Sequence, residues 1–136
     1  MKDGKFESKE ELFQYADQVE ATLTEPEQRV IAYHRRNLDI GATSPDGRVM
    51  TAFMMGPMVQ EGKYKGMIAS VPGFVPGHND NKPMQEGQAL AYWKDEIEQG
   101  LWPIYDPKIA NQRSAEVHVI MDSDSVKRFS DGNKQD

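Results

Sequence analysis

The stretch RVMTAFMMGPMVQEGKYKGMIASV, residues 48–71, decides how the chain folds. Its first part, RVMTAFMM, is apolar on both alternating faces, the pattern of a strand covered on two sides. Gly56 and Pro57 then interrupt the run at a bulge or bend. PMVQEGKYKGMIASV follows as two strands around a loop at residues 60–64. Upstream, SPDG at residues 44–47 is a turn, because Pro45 presets its own backbone angle and Gly47 tolerates a positive φ. The expectation is a mostly antiparallel sheet of three to five strands. Five of the eight methionines fall between Met50 and Met67. Methionine fills irregular gaps in cores and also serves adaptable binding surfaces. A strand region that is apolar on both sides needs two covering layers, and where helices supply only one, a second subunit must supply the other. That argument makes Met54, Met55, Met58 and Phe74 candidate binding residues and a homo-oligomer the expected partner state.

Outward toward the N-terminus, residues 1–37 read as a helical arm. Ser8 with Glu11, and Thr24 with Glu27, each have the spacing of a reciprocal N-terminal cap. Leu12, Tyr15, Ala16, Val19 and Leu23 recur at helical intervals, and Val30, Ile31, His34 and Leu38 do so after Pro26. Two caps in close succession predict a bent pair of helices. Residues 1–28 carry eight acids against three lysines, a surface able to meet a basic partner or to imitate a nucleic-acid backbone as an acidic decoy, and more cheaply explained as a solvated helix face.

The stretch VPGFVPGHNDNKP, residues 71–83, runs from the end of the β-rich region, residues 38–76, into a loop at residues 77–84, and is rich in turn formers yet carries Phe74, His78 and Asp80. A helix at residues 85–100 follows, with Ala89, Leu90, Trp93 and Ile97 on one face and Gly100 as its stop. For residues 101–129 the expectation is a short helical turn capped by Asp106, and then a final strand, AEVHVIMD. Residues 130–136 read as a loose polar tail. Nothing marks a domain boundary, so the prediction is one α+β unit over residues 1–136.

If AEVHVIMD is a strand, Glu116, His118 and Asp122 share a face. A histidine between carboxylates can act as a general base or ligate a metal. Should the loop fold against it, His78, Asp80, His118 and Asp122 would make a two-histidine, two-carboxylate set for zinc, manganese or iron in a small hydrolase or phosphoesterase. Glu116 and His118 would then be catalytic, and Arg35 and Arg36 anion contacts. Against this stand the lack of any catalytic signature and of every cysteine, which excludes disulfides and thiolate catalysis. The formal net charge of −6 argues against direct nucleic-acid binding. No run approaches a membrane span and no signal peptide is evident, so a cytoplasmic location is expected. The favoured expectation is a non-enzymatic protein-binding or assembly module without a cofactor.

Overall fold

A computed structural model describes residues 6–135, with side chains through Phe129. Lys2, Asp3 and Lys5 of the acidic arm lie outside the described residues. Three helices carry most of the helical residues: α1 (Lys9–Glu20), α2 (Glu25–Ile40) and α5 (Pro107–Gln135). Between the second and the last run β1 (Met54–Met55), β2 (Ile68–Ala69), β3 (Val71–Pro72), α3 (Glu86–Tyr92), α4 (Lys94–Glu98) and β4 (Ile104–Tyr105).

The two N-terminal caps form, though not equally. Thr24 Oγ1 accepts from the Glu27 N–H while the Glu27 carboxylate accepts from the Thr24 N–H at 3.0 Å, with Pro26 in the first turn. Ser8 Oγ accepts from the Glu11 N–H at 3.1 Å, but the Glu11 carboxylate reaches past it to the Glu7 N–H. The break between α1 and α2 is where the two caps placed it. Ala16 and Val19 bury one face of α1, and Val30, Ile31, His34 and Leu38 one face of α2.

The α+β class and the antiparallel pairing hold, but the strands do not join into one sheet. β1 pairs with β3 and β2 with β4, as two separate antiparallel pairs. The Ser70 N–H, just before β3, continues the β2–β4 ladder by donating to the Pro103 carbonyl at 2.9 Å. Gly56 and Pro57 end β1 as expected, and Val59 hydrogen-bonds across to Met67 around the loop at residues 60–64. The helix expected over residues 85–100 is jointed at Trp93 (φ −99°, ψ 10°), whose indole N–H donates to the Pro72 carbonyl at 2.7 Å. Gly100 stops it at φ +72°.

The larger correction is at the C-terminus. AEVHVIMD is helix, not strand, inside α5, and the helix runs on through residues 130–135 where a loose tail was expected. Asp106 starts it, accepting from the Lys108 N–H at 2.8 Å. After Pro107 no glycine or proline occurs before Gly132, so nothing local stops the first turn from propagating. Ala110, Val117, Ile120 and Met121 are buried while His118 and Asp122 are exposed. That is helical spacing against α1 and α2, and tertiary packing overrides the β-propensity of two valines and an isoleucine.

One apolar cluster draws on α1, α2, both strand pairs, α3, α4 and α5. At its centre Trp102 meets Tyr33 and Trp93 edge to face, with centroids 5.9 and 5.0 Å apart.

The loop at residues 71–83 is shaped. Phe74 is fully buried, and its carbonyl accepts from the Tyr33 hydroxyl at 2.7 Å. Asn79, Asp80 and Asn81 all sit at positive φ (54°, 56° and 60°), a single left-handed turn. Asn81 Oδ1 accepts from the Gly77 N–H at 2.6 Å, and Asn79 Nδ2 donates to Lys82 and Pro83 carbonyls. Left-handed backbone is tolerated by Asn and Asp and penalised for other L-residues. Asp80→Ala is therefore expected to lower stability by about 1 kcal/mol, and Asp80→Gly to stay within about 0.5 kcal/mol of the parent, by urea unfolding.

A groove between the first and last helices

Residues Glu116, His118 and Asp122 stay together on α5, though not as strand neighbours. His118 Nε2 lies 3.3 Å from Asp122 Oδ1, one helical turn on, and Glu116 accepts from Arg113 at 3.1 Å. All three line a groove of about 1070 Å³ between α5 and the start of α1. Its α5 wall takes Gln112, Ala115, Val119, Asp122 and Val126, which recur every three or four residues along about 21 Å of helix. Its α1 wall takes Leu12 and Tyr15, with Phe6 at one end. The apolar side chains here are half-buried, and Ala115 is exposed. Among the described residues three carboxylates, Glu7, Glu116 and Asp122, border the groove with one lysine, Lys9. This wall was hidden in the sequence, because its spacing has meaning only on a helix.

Of the four residues expected to gather a metal, His118 and Asp122 stay adjacent on α5, and His78 packs elsewhere. His78 packs on Tyr92 with ring centroids 4.7 Å apart, whereas His118 belongs to the α1–α5 groove. Among the described residues no three His, Asp or Glu side chains converge as metal ligands.

Arg35 is occupied. It donates from Nε and Nη2 to Asp124 at 2.8 and 3.2 Å and from both terminal nitrogens to Glu20 at 3.0 and 2.9 Å, tying α1, α2 and α5 together. Arg36 is exposed, its guanidinium 5.7 Å from the Tyr33 ring centre. Of the methionine-rich candidates, Phe74 is fully buried and Met54 and Met55 pack on the same core, which leaves Met58, 46% exposed, at the surface. β1 itself is half-buried, and beside it Val49 and Phe53 are 44% and 50% exposed.

His34 completes a buried row. Its Nδ1 shares a hydrogen bond with Thr51 Oγ1 at 2.6 Å, and its Nε2 lies 3.5 Å from Asp124 Oδ2. A hydroxyl, an imidazole and a carboxylate in line are the ingredients of nucleophilic catalysis. Here the ring is 2% exposed and Thr51 is half-buried. Burial lowers the His34 pKa against the opposing pull of Asp124, which keeps the ring neutral. With Asn37, which donates to the Thr51 carbonyl at 2.6 Å, the row fastens the segment before β1 to α2 and α5.

No helix among the described residues is long and apolar enough to cross a membrane. Compared with known proteins, the chain matches no family model, no curated protein and no solved structure.

Proposed function

We propose that the protein is a non-enzymatic binding module whose α1–α5 groove takes a basic amphipathic helix from a partner protein. The observation that carries this reading is the groove itself, an apolar floor bordered, among the described residues, by three carboxylates and one lysine. A helix laid along it buries its apolar stripe on Leu12, Tyr15, Val119 and Val126, and its flanking cations meet Glu7, Glu116 and Asp122. Charge selects a foreign partner over a second copy, since pairing this surface with itself would oppose like charges.

The probe is a labelled leucine–lysine amphipathic peptide of about 18 residues, enough to span the groove, read by fluorescence anisotropy. Saturable binding is expected, weakened by salt between about 50 and 500 mM. Ala115→Arg places a long cation on the exposed floor and should weaken binding at least about tenfold while leaving thermal unfolding unchanged. Equal binding by that variant, or by the leucine–glutamate counterpart peptide, rejects the proposal. So does a dimer in light scattering that Ala115→Arg dissolves, because the occupant would then be a second copy.

A further inference from the structure

A second site lies on the other side of α2. Arg29, Arg36 and Tyr33 line a notch of about 320 Å³ with Trp93 and Trp102. The Arg29 guanidinium sits 4.3 Å from the Trp102 ring centre, a stacked placement that fixes the orientation of its fork. Two donors of this wall have no hydrogen-bond partner among the described residues. One is the indole N–H of Trp102, a residue 1% exposed, and the other is Nη1 of Arg29. Glu96 pairs with Nη2 of Arg29, so two guanidiniums stand against one carboxylate. A buried donor without an acceptor is costly, and the cost is recovered when a ligand supplies an oxygen.

We infer that the notch is a binding site for a small organic oxyanion, a carboxylate or phosphate head carried on an apolar or aromatic body. The head supplies acceptors to the orphan donors and charge to Arg29 and Arg36. The body lies against the rings of Tyr33, Trp93 and Trp102, the apolar lining that gives a small site most of its affinity. The net charge of −6 gives such an anion no long-range attraction, so recognition rests on contact within the notch.

Both tryptophans of the chain line the notch, so intrinsic fluorescence reports its occupation directly. Benzoate, phenyl phosphate, inorganic phosphate and benzylamine are titrated in turn. A saturable change is expected with benzoate or phenyl phosphate, and the tighter of the two assigns the head as carboxylate or phosphomonoester. Arg36 is exposed and can be replaced without disturbing the core, and Trp102→Phe keeps an aromatic ring, though a smaller one, while removing the N–H. A loss of about tenfold in affinity is expected in Arg36→Ala, in Trp102→Phe or in both. The inference is overturned by the absence of saturable change with either ligand, or by an equal response to benzylamine. It is equally overturned by inorganic phosphate binding as tightly as phenyl phosphate, or by unchanged affinity in both variants.

Discussion

Replacing Arg113 with methionine is expected to destabilise the protein by about 3–5 kcal/mol, the cost of stranding a buried charge. Glu27 is 2% exposed and accepts from Arg113 Nε at 2.7 Å, Arg113 Nη2 at 2.9 Å, the Tyr105 hydroxyl at 2.7 Å and the Thr24 N–H at 3.0 Å. Arg113 also donates to Thr22 in the joint between α1 and α2 and to Glu116 on its own helix. One guanidinium thus locks the helical corner onto α5. Methionine fills the space of the arginine stem but leaves the Glu27 carboxylate buried with two donors fewer. A loss on the order of 10 °C in melting temperature should accompany the shift in urea midpoint. Glu27→Leu combined with Arg113→Met should recover part of it, because an apolar pair has no stranded charge. An Arg113→Met protein as stable as the parent would show that the pair contributes nothing.

The same pair gives the acid response. Burial by itself would raise the Glu27 pKa, but hydrogen bonds from Arg113, Tyr105 and Thr24 outweigh it and hold the carboxyl at about 2, from an ordinary 4.5. A depressed folded pKa stabilises the fold fully above the unfolded value, and that contribution is lost as pH falls from about 4.5 through about 2. Its size is on the order of 3 kcal/mol. Urea midpoints measured across that window should fall steeply for the parent and more gently for Arg113→Met.

Phe74→Ala is expected to cost about 3–5 kcal/mol, in the range of full deletion of a buried aromatic ring. Phe74 is fully buried, its N–H donates to the Ala52 carbonyl at 3.0 Å, and its carbonyl holds the Tyr33 hydroxyl. Little room exists for collapse around it. A Cβ on the neighbouring Gly73 would come within 2.5 Å of Met55 Sδ and 2.9 Å of the Phe53 carbonyl, so the backbone is already packed to contact. The cavity should persist, and chemical denaturation is the measurement. A cost below about 1 kcal/mol would place Phe74 at a surface rather than in the core, contrary to its burial.

What could be read before folding was whatever local chemistry settles within a few residues. Thr24 and Glu27 cap each other whatever surrounds them, Gly47 and Gly100 take positive φ because the turn and the helix stop need it, and SPDG folds back through its own proline. The stripes of α1 and α2 were legible for the same reason, and so was the pairing of residues flanking the loop at 60–64. Glu27, recognised as a cap, carried no hint of its second role, since Arg113 lies 86 residues away. His118 and Asp122 were grouped correctly but for the wrong geometry. An interval of four places them together on a helix as well as on one face of a strand, so the pairing survived while the element did not.

Sequence by itself determined the caps, the turns, the bent helical pair and the α+β mixture, because each depends on contacts made within about one turn of chain. Only the tertiary structure decided that AEVHVIMD is helical, that the strands stay as two short pairs, and that Phe74 is buried while Met54 and Met55 are half-buried against the core. Those outcomes depend on which surfaces meet, and burial against α1 and α2 outweighs the small intrinsic preference of β-branched residues for strands. The α1–α5 groove and the arginine–tryptophan notch belong to the same class, since each takes its walls from segments far apart in the chain.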